Sequence, residues 1–241
     1  MKAKEYVVAL IGALGVLFAV PVHAGIVFYA NNLAGFTSAM TTSGSTLIGT
    51  ETFEESTLPP GTADGANDPL TQGVANSFYP SGLLQPMTVQ SNVSGADAIA
   101  PNPRGLGGLG LGSVGFEGAA SDVVVAFSDS DSLDWIFDAA TRISGVGFNP
   151  LVFSPAGPLE IEIYDISNIL LGSITIAGDP TGTNFLGIQA TAGDLIGRIN
   201  LFSDRFEGGD NVMLFQVPEP AMLGLIGIGL AGLGFSRRKR S

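Results

Sequence analysis

The chain has 241 residues, 45% hydrophobic and 13% charged, with 34 Gly, 14 Pro, no Cys and a formal net charge of −12. The absence of Cys excludes disulfides, thiolate nucleophiles and Cys-based metal sites. The acidic balance repels phosphate backbones and anionic lipid, which excludes nucleic-acid binding and favours cations, neutral glycans and solubility.

Residues 1–24 read as a signal peptide with a helical apolar core. Lys2 and Lys4 form a basic start, and Val7 to Val20 is a 14-residue apolar stretch. Val22-His23-Ala24 then offers small residues at the positions a signal peptidase reads, so cleavage is expected between Ala24 and Gly25.

Residues 25–216 form the expected exported domain, long enough for one sizeable core. Every Lys, and the single His, lies outside it. Its four cations, Arg104, Arg142, Arg198 and Arg205, face 20 carboxylates, a net charge of about −16. Short runs rich in Val, Ile and Phe alternate with Gly, Pro, Asp, Asn and Ser. The spacing predicts strands at 26–29, 50–54, 123–127, 133–137, 143–148, 159–164, 170–177, 184–189, 195–202 and 211–217. From Ser121 onward they recur every 8–12 residues, the rhythm of an antiparallel β-sandwich or jelly roll. Glu160-Ile161-Glu162-Ile163 alternates with acids to water and isoleucines inward. One weak helical stretch spans Leu33–Met40. Residues 57–112 hold 10 Gly and 7 Pro among 56 residues. They read as long loops with two short strands, near Ser77–Phe78 and Met87–Val89, serving either as a binding surface or as disordered chain.

Several motifs in this domain resolve to plainer readings. Gly105 to Gly110 and Gly110 to Gly115 spell G-x-G-x-x-G, but Pro101-Asn102-Pro103 precedes them and no helix pattern follows. A flexible loop is the better account than a dinucleotide site. Asp129-Ser130-Asp131-Ser132-Leu133-Asp134 begins like an EF-hand loop, yet Leu133, Asp134 and Ala140 stand where an oxygen ligand, Gly and Glu are required. A solvated acidic turn is the reading preferred there, with a calcium site of another type as the alternative. Asn92-Val93-Ser94 spells a glycosylation sequon, a pattern too short to carry an argument by itself. A domain without His, Cys or Lys has no ordinary base for a serine nucleophile and no imidazole for zinc. Glu160 and Glu162, about 7 Å apart on one strand face, are the one pair with glycosidase spacing. Trp135, the sole Trp, sits in a β-like run, which favours core packing over a sugar-stacking platform.

Residues 217–241 have three unlike parts in fixed order. Val217-Pro218-Glu219-Pro220 is extended by its prolines. Ala221 to Phe235 is a 15-residue apolar run, about 22 Å long as a helix and short for a membrane span. Arg237, Arg238, Lys239 and Arg240 hold that end on the cytoplasmic side. This pattern resembles the PEP-CTERM sorting signal. The resemblance implies recognition of Pro218, Glu219 and Pro220 by a membrane exosortase, a single membrane helix at 221–235 and tail removal, in a Gram-negative bacterium that makes extracellular polysaccharide. The stretch from Asn184 to Val212, with Asp210-Asn211 opening the last strand, is also similar to the β-rich passenger domains of PEP-CTERM proteins. That likeness implies a jelly roll related in shape to carbohydrate-binding modules. In such modules carboxylates of the first and last strands often share calcium, which makes Glu54 and Asp210 the candidate ligands and calcium the one cofactor to consider.

The expectation is therefore an all-β antiparallel sandwich or jelly roll, flanked by a signal helix and a C-terminal membrane helix. Its role would be non-catalytic, structural or glycan-associating, at the cell surface or in the polysaccharide matrix. The alternative is a secreted carbohydrate-active hydrolase using paired carboxylates. Expected partners are signal peptidase, an exosortase, the inner membrane transiently, and exopolysaccharide.

Overall fold

A computed structural model of the protein describes residues 25–54, 63–66, 70–71, 80, 82–93, 109–112, 123–126, 131–152, 157–203 and 207–218. Their elements in chain order are β1 (Ile26–Ala30), α1 (Leu33–Thr42), β2 (Thr46–Glu51), β3 (Ala63–Ala66), β4 (Leu70–Thr71), β5 (Met87–Val93), β6 (Leu109–Gly112) and β7 (Val123–Ala126). After them come β8 (Asp131–Phe137), a 3-10 turn (Ala139–Thr141), β9 (Ile143–Val152), β10 (Pro158–Asp165), β11 (Leu170–Ala177), β12 (Leu186–Ala190), β13 (Ile196–Ser203) and β14 (Glu207–Gln216).

The strands form two antiparallel sheets. One has the order β1-β12-β9-β14-β7-β6-β3, with β2 also paired to β14; the other has the order β11-β10-β13-β8-β5-β4. β2 and β7 share one edge of β14: β7 pairs at Gly208 and Gly209, β2 from Val212 to Gln216. The expected all-β sandwich is thus present. The 57–112 region, expected as loops with two short strands, supplies β3, β4, β5 and β6 to both sheets. The strand expected at Ser77–Phe78 lies outside the described residues, as do the signal and membrane helices. Among the described residues no helix is long and apolar enough to cross a membrane.

The core lies between the sheets, where Trp135, Leu133, Ile161, Ile163, Ile199 and Leu201 meet Val146, Phe148, Ile188, Val212 and Leu214, all fully buried. Trp135 packs edge-on against Phe148, ring centroids 4.7 Å apart. Alternation along β10 is as expected: Leu159, Ile161 and Ile163 are buried and Glu160 is exposed. β9 instead is buried along nearly its whole length, because its sheet is covered on both faces. α1 supplies the second cover. Asn32 caps it by accepting the Gly35 N–H at 2.9 Å, and Phe36 and Met40 pack with Phe215, Tyr29 and Phe185. Gly145, Gly147 and Gly187 make the seat. A Cβ on Gly187 would lie 2.6 Å from Phe36 Cγ, and one on Gly147 2.8 Å from Phe36 Cε1.

Candidate functional site

Both expected processing segments leave from one end of the sandwich. The Val217 N–H donates to the Arg142 carbonyl at 3.2 Å, and the Thr191 N–H donates to the Gly25 carbonyl at 2.9 Å. The β8–β9 and β12–β13 connections, which carry Arg142 and Thr191, are short and tie the sheets together at this end. The β10–β11 turn is there too, because Asp165 pairs with Ile196 at the start of β13.

This end holds a cavity of ≈ 440 Å³, lined among others by Ser43, Ser45, Arg142, Ser144, Gln189, Asp194, Val217 and Pro218. The Ser45 and Ser144 hydroxyls are 2.9 Å apart, and Ser43 and Ser45 3.0 Å. Arg142 Nε and Asp194 Oδ2 are buried without a hydrogen-bond partner. Leaving such atoms unmet costs about 1–3 kcal/mol each. Among the described residues the lining offers donors and acceptors for binding and no imidazole, thiol or amine for bond-making.

A second polar group lies on the outer face of the six-stranded sheet. Cross-strand register puts Asp134, Asn200, Gln90 and Glu162 in one row, with Arg198 beside Tyr164 in the next. Asp134 Oδ1 accepts from Arg198 Nη1 at 3.0 Å and from Asn200 Nδ2 at 2.8 Å. Arg198 Nε donates to Asn168 Oδ1 at 3.0 Å, and its Cζ lies 3.8 Å from the Tyr164 ring centroid. The Tyr164 hydroxyl donates to Glu162 Oε2 at 2.6 Å. Burial, reinforced by the Glu162 carboxylate and opposed by Arg198, pushes the Tyr164 phenol up to about 12. Arg198 Nη2 and Gln90 Nε2 are buried without a hydrogen-bond partner.

Of the residues singled out by sequence, Pro218 and Gly25 are placed at the tail-bearing end. Ala24, Glu219, Pro220, Arg237, Arg238, Lys239 and Arg240 lie outside the described residues. Glu54 is exposed in the turn after β2, while Asp210 is buried in β14 and accepts from the Asn211 N–H at 2.6 Å and from Asn211 Nδ2 at 2.8 Å. Among the described residues no three acidic, His or Cys side chains gather closely enough to hold a metal ion. Trp135 is a core residue. Asp134 lies in β8, as the strand expected at 133–137 implies, but it is fully buried where a solvated acidic turn is expected, because strand alternation turns it toward Arg198.

Sequence reasoning missed Glu51 as well. This buried carboxylate accepts the N–H groups of Phe53 at 3.0 Å and Leu84 at 2.7 Å, closing the turn in which Phe53 takes a φ of 59°. For Asp134 a signal was available. Ser132, Asp134 and Ile136 alternate with Leu133, Trp135 and Phe137, and one of only four domain cations had to answer the buried charge.

No curated protein matches the sequence. Among solved structures, the K2 cleaved adhesin domain of Lys-gingipain is similar at 14% identity, TM-score 0.33, over 71% of this chain and 98% of that one. The CBM22-1-CBM22-2 tandem domain of Paenibacillus barcinonensis Xyn10C is similar at 8% identity, TM-score 0.33, over 73% of this chain and 47% of that one. The family 11 carbohydrate-binding module of Clostridium thermocellum is similar at 8% identity, TM-score 0.24, over 73% of this chain and all of that one. Likenesses this loose carry no argument about function. The tail is different: residues 216–239, from the last residue of β14 onward, match the PEP-CTERM protein-sorting motif, and the chain therefore carries a PEP-CTERM sorting signal.

Proposed function

We propose that this chain is a non-catalytic protein of the cell surface or extracellular matrix, processed by an exosortase and structural or glycan-associating in role. The sorting motif at 216–239 carries this reading, since it implies an exported protein that an exosortase sorts. The shared exit of Gly25 and Val217 supports it. A domain that enters through a signal peptide and is then held by a C-terminal membrane segment meets the membrane first beside Gly25 and afterwards beside Val217, and one sandwich end serves both. Glycan association is favoured by the chemistry of a strongly acidic domain, which repels polyanions and accepts neutral polyols, and by the hydroxyl-lined cavity at the tail-bearing end. The lack of His, Lys and Cys in residues 25–216 argues against nucleophilic catalysis.

Replacing Pro218-Glu219-Pro220 by three alanines tests the sorting step. Export should persist and tail removal should stop, so blots of membrane and medium should show the uncut chain held in the membrane. Normal release of the mutant would refute the reading.

A further inference from the structure

The end of the sandwich that carries both exits also carries an exposed apolar tip. In the β10–β11 turn and at the first residue of β11, Ile166, Ile169 and Leu170 are 50%, 63% and 51% exposed. Among the described residues three other large apolar side chains are comparably exposed, Val27, Leu33 and Leu47. The tip is held rigidly. Asp165 Oδ1 accepts the N–H groups of Ser167 and Ile169, each at 2.8 Å. Asn168, with φ 61°, is tied by its side chain to Arg198 Nε at 3.0 Å. The Asp165 carboxylate is thus engaged by the turn's own backbone, and the isoleucines are presented outward.

The chain that follows supplies the occupant. Pro218 is three residues from Ala221, where the 15-residue apolar run begins. Three residues reach at most roughly 11 Å, so a membrane holding that run holds this end of the sandwich against it. Until the signal peptide is cut, four residues separate Val20, the end of the other apolar run, from Gly25 at the same end. A short tether gives an effective concentration on the order of millimolar, so a contact of only three apolar side chains is enough to be populated. Among the described residues the charged groups at this end are Asp138, Arg142, Asp165 and Asp194, with Arg198 behind the turn neutralised by Asp134, an acidic excess that favours zwitterionic over anionic lipid.

We propose that, until the tail is removed, the sandwich stands end-on on the outer surface of the membrane with Ile166, Ile169 and Leu170 seated in the lipid interface. This rests on the membrane-held tail of the proposed function and adds an orientation to it. The seat would also keep the ≈ 440 Å³ cavity facing lipid until release.

The chain has no Cys, so single labelling sites can be introduced cleanly. Ile169→Cys and, at the opposite end, Leu33→Cys would each carry an environment-sensitive fluorophore in the full chain, reconstituted in phosphatidylcholine vesicles containing a doxyl-labelled lipid. Matching thermal melts would confirm that both variants fold. The expected result is a blue-shifted probe at 169, quenched at least twofold more than the probe at 33. Equal quenching at both sites in protein that floats with the vesicles would overturn the seat alone. Failure of the full chain to float would overturn the seat together with the membrane-held tail.

Discussion

Arg198 and Asp134 form an ion pair at 3.0 Å, with 1% and 0% of their side chains exposed, on a sheet face turned away from the core. The pair joins β13 to β8, and through Asn168 it extends to the β10–β11 turn. A charge pair removed this far from water is costly to break from one side, because the remaining ion stays buried.

Arg198→Met should therefore destabilise the fold by about 3–5 kcal/mol, whereas the double variant Arg198→Met/Asp134→Leu should recover much of the loss. Urea unfolding of the two variants and the parent checks this. A double variant as unstable as the single one would show that the network, not the uncompensated charge, is what matters.

Asp179 closes the β11–β12 connection. Burial disfavours its charged form, but the Thr181 hydroxyl and N–H, together with the Asn184 and Thr183 N–H groups, more than compensate and hold the carboxyl below its ordinary value. The folded pKa is depressed, so the associated stability is present above the unfolded value and is lost as pH falls through the folded one. Asp179→Asn should cost about 1–3 kcal/mol at neutral pH and narrow the gap to the parent below about pH 4. Melting curves between pH 7 and pH 3 measure both effects.

Gly187 and Phe36 are sterically coupled. Gly187→Ala puts a methyl 2.6 Å from Phe36 Cγ and should cost about 1–3 kcal/mol by overpacking. Phe36→Ala should cost about 3–5 kcal/mol. In the double variant the methyl has room, so the combined loss should fall at least 1 kcal/mol short of the sum. Additive losses in a double-mutant cycle would contradict the packing described.

Calcium remains a proposal resting on Glu54 and Asp210. With a net charge near −16 on residues 25–216, a divalent ion bound only by the folded form adds stability by mass action. Millimolar calcium should raise the melting temperature more than sodium at matched ionic strength, and Glu54→Gln or Asp210→Asn should remove the difference. Equal responses would leave only generic screening.

The sequence alone determined the sorting tail and the β character. The tail is read in order along the chain by its partners, so Pro218-Glu219-Pro220, the apolar run and the terminal cations are legible without a fold. Most strands were legible too, because burial on one face writes a period of two, as in Leu159, Ile161 and Ile163. What the tertiary structure decided depends on which face a second element covers. β9 loses its alternation because α1 roofs its outer side. Asp134 is buried because Arg198, 64 residues away, arrives beside it. Of the short strands between residues 57 and 112 only β5 announced itself, at Met87–Val89; β3, β4 and β6 are too poor in apolar residues to do so, and they pair because neighbouring strands offer open edges. The meeting of Gly25, Val217 and the Ile166–Leu170 tip at one end follows from strand direction and connection length, which no local pattern records.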